Sequence, residues 1–102
     1  MFGLEISVEE MTNVSKVKIY GKIGNNTVGE FQDVVFKAID KYNKVVLDFK
    51  DLVYMNSAGL RVLLASMHTI SKTDKKLIIR NVCTEIMELF KMTGFDDILV
   101  IE

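Results

Sequence analysis

The residues best suited to chemistry lie in one short segment, Asn56-Ser57-Ala58-Gly59-Leu60, between a β-forming run and an apolar run with helical spacing. A serine at the start of a helix lies among unpaired backbone N–H groups and beside a loop. Its hydroxyl can act as the helix cap, or it can be presented to an external enzyme. From these residues alone, both interpretations of Ser57 stay open.

Nucleophilic catalysis by Ser57 would need a base and an orienting group nearby. The single histidine, His68, lies eleven residues along the same predicted helix, and this spacing corresponds to about 16 Å at 1.5 Å per residue, too far for a hydrogen bond. No His, Cys or carboxylate is spaced to form a metal site with it, and the chain has no Gly-x-x-x-x-Gly-Lys loop for a nucleotide. The residues therefore favour a non-enzymatic domain without a metal or cofactor.

Composition narrows the class of protein further. A chain of 102 residues with 49% hydrophobic and 26% charged residues is typical of one globular domain, expected over residues 1–102. The formal charge of −1 offers no positive field for nucleic acid. The first residues lack a signal-peptide pattern, no apolar run is long enough to span a bilayer, and the lone Cys83 indicates a reducing compartment. We therefore expect a cytoplasmic protein that binds neither nucleic acid nor membrane.

Hydrophobic periodicity predicts the elements that position Ser57. Alternation predicts an opening antiparallel hairpin that contains Leu4, Ile6, Val8, Val17 and Ile19. Short apolar runs predict three further strands at Val45-Val46-Leu47-Asp48-Phe49, Leu77-Ile78-Ile79 and Ile98-Leu99-Val100-Ile101. Helical spacing predicts a first helix with an inward stripe of Val28, Phe31, Val34, Val35, Ala38, Ile39 and Tyr42. A second helix begins near Ser57 with Leu60, Leu63, Leu64 and Met67 inward, and a third covers residues 84–92 before a cap at Gly94.

The predicted order is ββαβαβαβ, an α/β fold with a mostly parallel sheet of four to five strands. Right-handed crossovers place the helices mainly on one side, and what covers the other face stays open. Asn25, Asn26 and Thr27 are good caps for the first helix. Because strand ends and helix starts meet at one sheet edge, we expect this loop to lie beside Asn56 and Ser57.

In this setting the Asn56-Ser57-Ala58-Gly59-Leu60 segment resembles the signature of the STAS family, which includes bacterial anti-sigma factor antagonists. Gly21-Lys22-Ile23 and Met92-Thr93-Gly94-Phe95 also fall where that family has similar elements, so the resemblance covers essentially the whole chain. Asn56 and Gly24 stand where the family usually has acidic residues, which lowers the local negative charge.

The resemblance implies a switch in which the unphosphorylated chain binds an anti-sigma factor and thereby frees a sigma factor for transcription. The resemblance also implies that this anti-sigma factor is a serine kinase that phosphorylates Ser57, and that a serine phosphatase reverses the modification. The predicted partner surface consists of Asn25, Asn26, Thr27, Asn56, Ser57, Ala58, Gly59 and Arg61. One alternative is a phosphorylation switch of the same fold in a circuit other than transcription, and a less favoured one is a small serine-dependent hydrolase.

Overall fold

Five strands and three α-helices follow one another in the predicted order in a computed structural model that describes residues 3–102. The strands are β1 (Leu4–Glu10), β2 (Val14–Ile23), β3 (Lys44–Met55), β4 (Lys76–Arg80) and β5 (Val100–Ile101). The α-helices are α1 (Val28–Lys41), α2 (Ser57–Ile70) and α3 (Thr84–Thr93), and a 3₁₀ turn at Phe95–Asp97 precedes β5. The α/β fold class and the order ββαβαβαβ are therefore confirmed.

The sheet has the strand order β1-β2-β3-β4-β5, with β1 antiparallel to β2 and all other neighbours parallel. Each strand-helix-strand crossover moves one position in the same direction, so right-handed connections place the helices over one face. Buried residues of all three helices share one hydrophobic cluster with Val45, Leu47 and Phe49 of β3. The predicted mostly parallel sheet with helices mainly on one side is confirmed.

Two sequence predictions about element details are wrong. Leu64 was expected to face inward, but its side chain is 47% exposed, and α2 buries Val62 and Ser66 instead. The reason is that α2 is apolar on nearly every side, so spacing alone does not fix its buried face. The predicted last strand is also too long, because the backbone N–H groups of Ile98 and Leu99 both bond to Phe95 O and hold these residues in a turn.

The length of β3 brings the site together. β4 pairs only with residues 44–48 of β3, whereas β2 continues beside β3 as far as the pair Ile23 and Met55. A register shift between Lys18 and Tyr20 marks a bulge partway along this ladder. Consequently β2 and β3 end side by side, and α1 and α2 begin from adjacent loops.

A buried carboxylate, Asp48, lies next to this bulge. Its Oδ1 accepts hydrogen bonds from the Lys50 N–H and from Asn81 Nδ2, each at 3.0 Å. Burial alone raises the pKa of this carboxyl group. The two hydrogen bonds and the positive charges of Lys16 and Lys18 outweigh burial, so the pKa of Asp48 lies below its ordinary value of 3.8.

Ionised Asp48 should therefore stabilise the fold above the unfolded pKa of 3.8, and this contribution should be lost as the pH falls through the lower folded pKa. We expect the free energy of unfolding to fall more steeply between about pH 5 and pH 2 in the wild type than in Asp48→Asn. Urea unfolding at a series of pH values measures both slopes. Parallel curves for the two proteins would contradict this role of Asp48.

Candidate functional site

Helix α2 begins at Ser57 and is capped by the preceding residue, Asn56. The backbone of Asn56 is extended, with φ −112° and ψ −170°, and its Oδ1 accepts a hydrogen bond from the Ala58 N–H at 3.0 Å. Asparagine is among the most effective N-cap residues because this bond satisfies a donor that the helix leaves unpaired. The interpretation of Ser57 as the cap of α2 is therefore wrong.

The hydroxyl group of Ser57 takes no part in the cap of α2. Ser57 is exposed, and its hydroxyl forms no hydrogen bond with any other residue in the described range 3–102. Arg61 is exposed one turn further along α2, at the i+4 spacing that places two side chains on the same helix face. The structure therefore presents an unengaged hydroxyl with a guanidinium group on the same surface.

The loop before α1 lies against the loop before α2, as the sequence predicted. Asn56 Nδ2 donates a hydrogen bond of 3.4 Å to Asn25 Oδ1, and the Asn56 backbone N–H donates to Ile23 O at 3.2 Å. Asn25 and Asn26 are both exposed. The first loop therefore shares one continuous surface with Asn56 and Ser57.

Thr27 has a different role from the predicted one. It occupies the N-cap position of α1, but its side chain makes no capping hydrogen bond. Instead, Thr27 Oγ1 donates to Lys22 O at 2.8 Å and accepts from the Gly24 N–H at 3.0 Å. Thr27 therefore fixes the shape of the loop that carries Asn25 and Asn26.

Gly59 packs where α2 crosses the ends of β2 and β3. It is buried, and a Cβ atom there would lie 2.7 Å from Met55 Cγ and 2.9 Å from Ile23 Cγ2. Neither atom is the free end of a long side chain, so a side chain at position 59 would push the helix away from the sheet. The structure gives Gly59 a packing role, and the half-buried Ala58 forms the edge of the exposed surface.

Sequence reasoning missed several exposed apolar side chains on β3, α2 and α3. Val53, Tyr54, Leu64 and Met92 are 61%, 48%, 47% and 84% exposed. The ring of Tyr54 lies beside the first loop, since a Cβ built at Gly24 would be 3.8 Å from Tyr54 Cε2. The continuous apolar run before Asn56 was the available signal, because a strand can turn only part of such a run inward.

His68 is exposed in the same helix as Ser57, and eleven residues of helix separate them by about 16 Å. Within residues 3–102, no three His, Cys, Asp or Glu side chains are grouped to hold a metal ion. Across the same described residues, no helix is both long and apolar enough to cross a bilayer.

Residues 5–102 match the STAS domain, and the chain belongs to this family. The anti-sigma-B factor antagonist of Staphylococcus aureus is 27% identical over 98 residues, which cover 95% of this chain and 91% of that protein. An anti-sigma factor antagonist from Mycobacterium paratuberculosis is structurally similar, with a TM-score of 0.79, 22% identity and coverage of 96% of this chain and 84% of that one. The phosphorylated form of the Bacillus cell fate determinant SpoIIAA gives a TM-score of 0.74, 17% identity and coverage of 96% and 91%, respectively. These structures share the fold of this chain.

A pair of glycine-to-alanine substitutions tests the packing beneath the site. Gly59→Ala should lower the free energy of unfolding by about 1–3 kcal/mol, because the new methyl group overpacks the junction of α2 with the sheet. Gly29, near the start of α1, has no atom within 4 Å of an added Cβ, so Gly29→Ala should be neutral or raise stability by about 0.5–1 kcal/mol. Chemical denaturation of both variants measures these changes. Wild-type stability in Gly59→Ala would contradict the packing role.

Proposed function

We propose that this chain is an anti-sigma factor antagonist whose unphosphorylated form binds an anti-sigma factor with serine kinase activity. Phosphorylation of Ser57 ends this binding, a serine phosphatase restores it, and sigma-factor-dependent transcription follows the state of the switch. The names of the curated relatives support the class of partner. The observation that carries the proposal is the exposed and unbonded Ser57 hydroxyl beside a cap supplied by Asn56.

The start of α2 can accept a phosphate without loss of the fold. Phosphorylation adds about −1.5 to −2 charges, and the helix dipole stabilises an anion at its N-terminus by about 0.3–1 kcal/mol. The first turn of α2 contains no acidic residue that would repel this charge. Arg61 lies one turn away on the same face, where a guanidinium group can pair with a phosphate. Modification should therefore leave α2 folded.

Phosphorylation of Ser57 should weaken partner binding, although it leaves α2 folded. The proposed interface consists of the exposed loop residues Asn25 and Asn26, the region around Asn56 and Ser57, and Arg61, with Thr27, Ala58 and Gly59 shaping it. A protein that covers this surface must desolvate an added phosphate. A penalty of about 3 kcal/mol weakens binding more than a hundredfold. The phosphate therefore controls association while the domain stays intact.

The phosphate must come from another protein. The chain has no Gly-x-x-x-x-Gly-Lys loop for nucleotide phosphates, and no basic side chain is bonded to Ser57 among the described residues. In the proposed cycle the kinase transfers the γ-phosphoryl group of ATP to Ser57 Oγ, and the hydroxyl proton is released with ADP. Phosphatase-bound water later hydrolyses the ester to inorganic phosphate and serine. We therefore assign the chain a regulatory, non-enzymatic role in the cytoplasm, where ATP is available and Cys83 stays reduced.

The proposal predicts how substitutions at Ser57 behave with purified anti-sigma factor kinases and ATP. Mass spectrometry should locate one phosphate on Ser57 of the wild type and none in Ser57→Ala. The alanine variant should bind the unmodified partner about as well as the wild type. Ser57→Asp should bind at least about tenfold more weakly, because its carboxylate places a charge within the interface.

Circular dichroism should show that both variants remain folded, because the Ser57 side chain forms no hydrogen bond with another described residue. Ser7→Asp is the matched control, since Ser7 is also an exposed serine but lies on β1. The Ser7→Asp variant should bind the anti-sigma factor and be phosphorylated at Ser57 like the wild type. A folded Ser57→Asp variant that binds as tightly as Ser57→Ala would refute a switch at this residue.

A further inference from the structure

A groove lies between the C-terminal half of β3 and helix α3. The side chains that matter here are Val53 and Tyr54 from β3 and Glu85, Glu88, Leu89 and Met92 from α3, and the groove has a volume of about 280 Å³. We refer to it as the β3–α3 groove. Its floor is continuous with the core through the buried side chains of Met55 and Ile86.

The walls of this groove consist largely of exposed apolar side chains. Val53 is 61% exposed, Tyr54 is 48% exposed and Met92 is 84% exposed. In the described chain, β4 pairs with β3 only over residues 44–48, so no strand covers Val53 and Tyr54 on that side. Neighbouring apolar side chains around a concavity are typical of a site for another molecule.

The rim of the groove is acidic. Glu85 and Glu88 are both exposed and lie one turn apart on α3. Within residues 3–102 the single ion pair joins Arg80 to Glu102, so neither of these carboxylates has a cationic partner in the described chain. Two exposed carboxylates that form no direct ion pair within the described chain, beside an apolar groove, favour a ligand that combines apolar and basic side chains.

The groove is also connected to the phosphorylation surface. Tyr54 is two residues before Asn56, and its ring lies beside Gly24 in the loop that contacts Asn56. A protein that covers Ser57 can therefore extend across Tyr54 into the groove without leaving the surface. Ser57 itself does not line the groove.

We propose that the β3–α3 groove is a second docking surface for the anti-sigma factor and takes an apolar segment of that partner flanked by Lys or Arg. This inference rests on the proposed function and adds which kind of side chains of the anti-sigma factor this chain recognises. Because Ser57 lies outside the groove, this contact contributes affinity whatever the phosphorylation state. The groove therefore selects the partner, whereas Ser57 determines whether the complex persists.

Charge reversal at the rim tests the electrostatic part of the inference. The probe is the anti-sigma factor kinase that binds the unphosphorylated wild type, and affinity is measured by titration calorimetry at several salt concentrations. The Glu85→Lys, Glu88→Lys double variant should bind about tenfold or more weakly and show a smaller salt dependence. The Glu5→Lys, Glu9→Lys double variant changes the net charge equally from exposed positions on β1 and should bind like the wild type.

The apolar part is tested by Met92→Gln, which alters a largely exposed side chain and should leave the fold unchanged. Its affinity should fall severalfold or more, while Met11→Gln, at a residue that is 51% exposed beside the opening hairpin turn, should have no effect. Melting curves should match those of the wild type for the two methionine variants.

The possible results separate the two proposals. Wild-type affinity and salt dependence in the folded groove variants would overturn the groove while leaving the Ser57 switch intact. An equal loss of affinity in the β1 control would also overturn it, because the effect would then follow net charge alone. A wild-type chain that binds no anti-sigma factor would overturn both proposals.

Discussion

The hydrogen bond from the Ala58 N–H to the Asn56 side chain decides where α2 begins. Because Asn56 caps the helix, the hydroxyl group of Ser57 is left without a hydrogen bond to another described residue. A capping serine uses its hydroxyl to satisfy a helix donor, so the group is neither free nor outward-facing. Here Asn56 performs that role, and Ser57 occupies the first helical position with its hydroxyl in solvent. The Nδ2 atom of Asn56 donates a hydrogen bond to Asn25 Oδ1, so the same side chain also joins the loops before α1 and α2.

β3 connects this local geometry to the rest of the molecule. Its first half lies between β2 and β4 and supplies central core residues, whereas its second half pairs with β2 and extends past β4. This extension delivers Asn56 to the end of β2 and leaves Val53 and Tyr54 exposed beside α3. Gly59 then lets α2 cross closely above Met55. The fold thus holds the exposed Ser57 hydroxyl and an apolar groove on one surface.

The sequence predicts most of the fold. The short continuous apolar runs of β3 and β4 are typical of buried strands, and the apolar stripe of α1 has helical spacing. The sequence does not decide between Asn56 and Ser57 as the cap, since adjacent asparagine and serine have nearly equal preference for that position. The buried face of α2 was also ambiguous, and Leu64 was misplaced for that reason. The apolar run before Asn56 indicates that some of its side chains are exposed, but which ones depends on where β4 stops pairing with β3, a long-range property of the fold.

We propose that a phosphate on the Ser57 hydroxyl releases the anti-sigma factor and leaves the fold of this chain intact. The most direct test compares fully phosphorylated and dephosphorylated preparations of the wild type in titrations against the anti-sigma factor, with melting curves of both. The account predicts at least about a hundredfold weaker binding after phosphorylation with an unchanged or slightly higher melting temperature. Equal affinity in the two preparations, or unfolding caused by the phosphate, would contradict it.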